Sequence, residues 1–186
     1  MRNLATGISS RDDRGLVHAV IEIPAGTNAK WEVDKSDGRL RWEVENGKPR
    51  VVQYLPYPGN YGMIPRTILP RELGGDGDPL DVIVLGPAVA RGAVIPVRVI
   101  GVLELLDRGE QDDKLLAVSL DGPFREVHDL SELDAGFVGV RLIVETWFSN
   151  YKGPGKMEAQ GWGDVERADQ VLQAAEEAYA AREPHQ

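Results

Sequence analysis

Apolar and polar positions alternate through most of the first two-thirds of the chain, which predicts a series of short strands. In residues 16–23, Val17, Ala19, Ile21 and Ile23 fall on one face, and Pro24 stops the run. In 30–34, Trp31 and Val33 face one way and Lys30, Glu32 and Asp34 the other. In 39–44, Leu40, Trp42 and Val44 point inward, after a Ser36-Asp37-Gly38 hairpin turn. Residues 51–55, 81–85, 94–106 and 115–120 read as further strands. Tyr57-Pro58-Gly59-Asn60-Tyr61-Gly62 reads as a turn-rich segment. Many short strands with Gly/Pro turns predict a small closed β-barrel.

The period changes near residue 133. Phe137, Val140, Val144, Trp147, Phe148 and Tyr151 recur at helical spacing, which predicts one helix over 133–151, ended by Gly153-Pro154-Gly155. An Ala- and Glu-rich stretch predicts a second helix over 165–181. The expected fold is mainly β with α (α+β), an OB-like closed barrel with two C-terminal helices packed on it. Length allows one catalytic domain over 1–186. The polar first 14 residues read as a flexible extension, and the last few as a fraying end.

Composition narrows the classes. The hydrophobic content of 42% supports a real core. A net charge of −9 argues against a general nucleic-acid partner. No apolar run is long enough to span a membrane, and the N-terminus does not read as a signal peptide. The absence of cysteine removes disulfides and thiolate sites, and it fits a reducing cytoplasm. His18, His128 and His185 belong to no motif and read as structural or surface residues.

The densest chemistry is Asp76-Gly77-Asp78-Pro79-Leu80-Asp81, three carboxylates within six residues. Carboxylates packed so closely repel, and protonation or cations must relieve them. A turn explains Asp76-Gly77 but not the other two aspartates. An EF-hand loop fails, since Leu80 and Asp81 stand where a ligand and an invariant Gly would be, and Pro87 replaces the closing Glu. A hard-metal site such as one for Mg²⁺ remains. A second acidic run, from Asp107 to Lys114, connects two strands, with Asp112 and Lys114 on one strand face. Lys30 and Glu32 share a face, Arg50 precedes a strand, and Tyr151-Lys152 ends a helix. Taken singly, each of these cations and phenols fits a solvated surface, a packing role or a helix cap equally well.

Together these motifs resemble family I soluble inorganic pyrophosphatases of the bacterial type. Ile21-Glu22-Ile23-Pro24, Lys30-Trp31-Glu32, residues 57–62, the acidic run, Asp107 to Lys114, Tyr151-Lys152 and Gly161-Trp162 occur in that family's order. The resemblance covers about residues 16 to 180. It implies Mg²⁺-dependent hydrolysis of inorganic pyrophosphate by a metal-activated water, with several ions per site. Asp76, Asp81 and Asp112 would hold activating metals, Asp81 bridging two, and Asp107 a metal arriving with substrate. Glu22 and Glu32 would bind metal directly or through water. Asp78 would be the general base. Lys30, Arg50, Tyr61, Tyr151 and Lys152 would contact phosphate, Lys114 would balance charge, and Tyr57 would support hydrogen bonding. The family also implies a cytoplasmic homohexamer.

Three departures stand out. Arg50 fits only after a one-residue register adjustment, which leaves Lys48 as a competitor. Residues 68–75 look like an insertion, and the N-terminal dozen match no family segment. Two other readings remain: hydrolysis of a different phosphoanhydride such as a nucleotide, and a non-catalytic metal-binding scaffold.

Overall fold

The computed structural model describes residues 2–71 and 74–182. Glu72 and Leu73 of the expected insertion, and the tail at 183–186 with His185, lie outside the described residues. The elements run β1 (Val17–Ile23), β2 (Trp31–Val33), β3 (Leu40–Trp42), β4 (Val44–Glu45), β5 (Lys48–Pro49), β6 (Asn60–Met63), β7 (Asp81–Leu85), β8 (Val94–Asp107), β9 (Glu110–Gln111), β10 (Lys114–Ser119), α1 (Leu130–Gly136), α2 (Val140–Asn150), β11 (Met157–Gly163) and α3 (Val165–Arg182).

The strands pair in the order β1-β6-β7-β10-β8, and β8 returns to β1, so the ring closes on itself as the OB-like reading expects. β8 is long enough to serve two neighbours on one edge. Its first half pairs with β1 and its second half with β11. β7 and β10 run parallel, with Lys114 registered against Asp81. That register brings the starts of two strands, and their charged residues, to one end of the ring.

Both faces of the ring strands are covered, so they read as continuous apolar runs rather than alternating ones. Ile83, Leu85, Leu116 and Val118 pack with Leu133, Val144, Trp147 and Phe148 of α1 and α2. Val82, Val84, Leu115 and Ala117 pack with Ala168, Val171 and Leu172 of α3. Deleting such a side chain costs about 2–5 kcal/mol.

Several expectations are corrected. The helix expected over 133–151 is two helices. Asp129 caps α1 by accepting the backbone N–H of Glu132 at 2.8 Å, and Gly139, with φ of 85°, begins α2 in a left-handed turn. Helical spacing holds inside each helix, but the glycines at 136 and 139 interrupt the backbone. Trp42 and Val44 do not face inward: they are 38% and 63% exposed, because β2–β3 and β4–β5 form two small sheets outside the ring. Trp42 instead stacks on Trp31 with centroids 5.6 Å apart. Residues 51–55 form no strand; Val51 makes one isolated bridge to Ala29, and Tyr54 and Leu55 are exposed. The segment read as turn-rich contributes β6 to the ring. Gly62 permits this, since a Cβ there would meet the Val20 carbonyl oxygen at 1.8 Å. β11 had no apolar alternation to reveal it. The first residues, read as a flexible extension, are folded against the body, with Ile8 only 3% exposed.

Candidate active site

A cleft opens at the end of the ring where β7 and β10 begin. It is lined by Glu22, Lys30, Glu32, Val33, Lys35, Arg50, Tyr61, Met63, Asp76, Asp78, Pro79, Asp81, Asp112, Lys114, Tyr151 and Lys152. Residues far apart in sequence meet here because strand ends, a hairpin and a helix end converge.

The ring supplies the acidic wall. Lys114 is almost fully buried and its ammonium is shared between Asp81 and, at 2.5 Å, Asp112. Burial opposes the charge on Lys114, but attraction to the two carboxylates outweighs it and raises its pKa well above the usual lysine value. The Asp81 carboxyl is partly buried, which works against its charge, yet Lys114 and the Tyr61 hydroxyl, which donates to Asp81 Oδ2 at 2.6 Å, hold it below the usual carboxylate range. Burial pushes Asp112 up, and repulsion from Asp81 adds to this against the pull of Lys114. Burial also raises Asp76, with further repulsion from Asp78, Asp112 and Asp81; its Oδ1 accepts the Asp78 backbone N–H at 2.8 Å. Asp78 stands half-exposed at the mouth and is ion-paired with Lys35.

The opposite wall is the β2–β3 hairpin with its flanks. Lys30 Nζ sits 5.2 Å from the centre of the Tyr61 ring. Burial and then Glu43 raise the Glu32 carboxyl, with Lys30 and Lys35 pulling the other way. Glu22, on β1, accepts the Val33 backbone N–H at 2.7 Å, and burial pushes it up to about 7. Arg50 Nη1 donates to Glu43 at 2.8 and 3.0 Å. Arg50 faces the cleft, whereas Lys48 is exposed on β5.

The third side is the end of α2. Tyr151 stacks on Trp147 at 4.6 Å, and Lys152 donates to Asp107 Oδ2 at 2.7 Å. Tyr57 lies beneath the cleft, within ring contact of Tyr61 and Trp147. Asp107 stands behind Lys152 and is not among the lining residues; its Oδ1 is buried without a hydrogen-bond partner. Sequence reasoning passed over Lys35 and Glu43. Lys35 has the wrong strand parity for the Lys30 and Glu32 face, and only the hairpin turn brings it to the mouth. His18 and His128 bond to Ser9 and Glu132, away from the cleft.

Among the described residues, no three carboxylate or imidazole groups converge tightly enough to hold a metal ion by themselves. The donors instead form an open set in which Asp81 and Asp112 share the Lys114 ammonium and Asp76 lines the same cleft. Hard ions such as Mg²⁺ suit that set, since they take one or two protein carboxylates and fill the rest with water and phosphate. Asp107 Oδ1 has no partner, and burial with carboxylate repulsion disfavours the charge on Asp76 and Asp112, a cost that a bound cation would relieve.

Comparison with known proteins agrees with this geometry. The model of the inorganic pyrophosphatase family matches residues 19–180. An inorganic pyrophosphatase of Corynebacterium efficiens is 35% identical over 169 residues, covering 89% of this chain and 99% of that protein. The mouse inorganic pyrophosphatase is 37% identical over 165 residues, 78% of this chain and 56% of its own, so the chain spans about half the length of such longer relatives. The crystal structure of inorganic pyrophosphatase from Thermus thermophilus superposes with a TM-score of 0.80 at 30% identity, covering 96% of this chain and 99% of that one. The chain belongs to the inorganic pyrophosphatase family.

Proposed function

We propose that this chain, as a single catalytic domain, hydrolyses inorganic pyrophosphate to two phosphates and requires Mg²⁺. The observation that carries this reading is the cleft itself. It gathers Asp76, Asp81 and Asp112 into one cleft with Lys30, Arg50, Tyr61, Tyr151 and Lys152. A pure cation site would not need those donors, and a pure anion site would not tolerate those aspartates.

In this reading Asp76, Asp81, Asp107 and Asp112 hold the metal, with Glu22 and Glu32 nearby. Bound Mg²⁺ would neutralise substrate charge and acidify water. Asp78, half-exposed at the mouth, accepts the proton of the attacking water. Lys30, Arg50, Tyr151 and Lys152 donate to phosphate oxygens where charge grows, and Tyr61 contacts phosphate once its O–H turns from Asp81 to the substrate. Lys114 limits repulsion between Asp81 and Asp112, and Tyr57 braces Tyr61. The family resemblance supports a cytoplasmic homohexamer, and the exposed Val138, Leu142 and Ile143 at the α1–α2 corner offer apolar surface for such assembly. Among the described residues, no helix is long and apolar enough to cross a membrane.

Phosphate release from pyrophosphate, compared with release from nucleoside triphosphates at equal Mg²⁺, tests the substrate. Pyrophosphate should be strongly preferred, because charged and hydrogen-bonding side chains dominate the lining. Preference for the nucleotide would replace the reading with the broader phosphoanhydride one.

A further inference from the structure

Residues 3–8 precede the family match and link the β2–β3 hairpin to the segment around Arg66. Asn3 begins a turn: its side-chain oxygen accepts the backbone N–H groups of Ala5 and Thr6, each at 2.9 Å, and its carbonyl accepts that of Gly7 at 2.9 Å. On one side Leu4 N–H donates to the Gly38 carbonyl at 3.0 Å, at the tip of the β2–β3 hairpin. The contact there is close, since a Cβ on Gly38 would come within 2.0 Å of the Asn3 side chain. On the other side the Arg66 backbone N–H donates to the Ala5 carbonyl, and Arg66 Nε to the Thr6 carbonyl, both at 2.8 Å.

Arg66 leads into the stretch that backs the acidic loop. Thr67 Oγ1 accepts the Leu80 N–H at 3.0 Å, and Leu69 exchanges backbone bonds with Asp78 at 2.7 Å and Gly77 at 3.0 Å. Between these anchors Ile8 packs with Val20, Val33 and Met63, and Leu4, Ala5 and Leu40 close around them. Val33 and Met63 line the cleft. The hairpin's other ties include the Val33 to Glu22 bond, Arg91 over the Trp31 ring, the exposed Lys35–Asp78 ion pair at the mouth, the Trp42 indole N–H to the Arg50 carbonyl, and the pairing of Lys30 with Glu43 and Arg50 at its base.

We propose that residues 3–8 form a strap that sets the separation of the two cleft walls. Leu4 and Ile8 are then positioning residues, holding Lys30 and Glu32 opposite Asp76, Asp78 and Asp81 for binding of a diphosphate. The proposal rests on the pyrophosphate reading for its ligand, and on these backbone bonds and the packing of Leu4 and Ile8 for its geometry.

The test uses the full-length chain with Ile8→Ala, Ile8→Val and the milder Leu4→Ala. Hydrogen exchange is followed at residues 31–42 and, as reference, in β7 and β10. Binding of imidodiphosphate, whose bridging nitrogen resists hydrolysis, is measured with Mg²⁺ by calorimetry. Ile8→Ala should speed exchange at 31–42 about tenfold beyond any change in β7 and β10, and should weaken imidodiphosphate roughly three- to tenfold. Ile8→Val should restore both, and Leu4→Ala, which keeps the fold if Ile8→Ala does not, should show the same pattern more weakly. Exchange at 31–42 that only tracks the ring, or unchanged imidodiphosphate affinity with a loosened hairpin, would overturn the strap. A wild-type chain that binds imidodiphosphate but releases no phosphate from pyrophosphate sinks the hydrolytic reading and leaves this test intact.

Discussion

The two walls of the cleft are built by different means. Asp81 and Lys114 are the opening residues of neighbouring parallel strands, and strand register sets them side by side. Lys30, Glu32 and Lys35 ride on or beside a two-stranded sheet outside the ring, which relies on local ties and on the N-terminal segment. A side chain placed by ring register is fixed by the whole core. One placed by an outlying hairpin is fixed by a handful of contacts. Substitutions on the acidic wall should therefore divide into those that disturb the fold and those that disturb only chemistry, according to burial.

Asp81 and Asp78 make that division sharpest. Asp81→Ala leaves the buried Lys114 with half its partners, so stability should fall by about 3 kcal/mol alongside metal binding and turnover. Asp78→Asn lies at the solvent-exposed mouth and should leave stability within about 0.5 kcal/mol. Its rate should still fall on the order of 10²- to 10⁴-fold, as expected for loss of a general base. Thermal unfolding beside steady-state kinetics separates the two. Equal stability losses in both variants would erase the distinction between the walls' buried and exposed positions.

Glu22 joins the walls, since it stands on ring strand β1 and accepts a hydrogen bond from hairpin strand β2. Burial lifts its pKa from 4.5 to about 7, so the folded chain binds more protons than the unfolded one across that interval. Its contribution to stability is therefore present at low pH and is lost as pH rises towards about 7. In metal-free protein, Glu22→Gln should remove a decline amounting to about 3 kcal/mol between those limits. Denaturant midpoints of both proteins across pH 4.5 to 7 check this. A wild-type advantage that grew with pH would carry the opposite sign.

The smallest expected effect concerns Arg50 and Lys48. Arg50→Lys keeps the charge but loses the planar guanidinium, whose Nη1 now bonds Glu43, and should lower kcat/KM roughly tenfold with metal affinity nearly unchanged. Lys48→Ala, on the exposed β5, should do little. A large defect in Lys48→Ala beside a silent Arg50→Lys would reverse the register.

What was legible follows the same split. β7, β8, β10 and α3 show in the sequence because their apolar runs or helical spacing match their burial. The order of the motifs gives the family and, through it, the residues that converge on the cleft. The hairpin wall was harder to read. Trp42 and Val44 alternate as an inward face would, but their sheet packs outside the ring. Asn60-Tyr61-Gly62 carries turn residues, yet Gly62 serves close strand approach instead. The N-terminal strap has too few apolar residues to show a period, and many of its ties use its own backbone N–H and carbonyl groups, which no side-chain pattern records.

The central claim is that this ring end binds Mg²⁺ and uses it on pyrophosphate. Phosphate release from pyrophosphate, measured after chelation of divalent ions and again after Mg²⁺ is restored, tests it most directly. Turnover should vanish with the chelator and return with Mg²⁺, while Ca²⁺, larger and looser in its coordination, should support little. Full turnover in excess chelator would contradict the account.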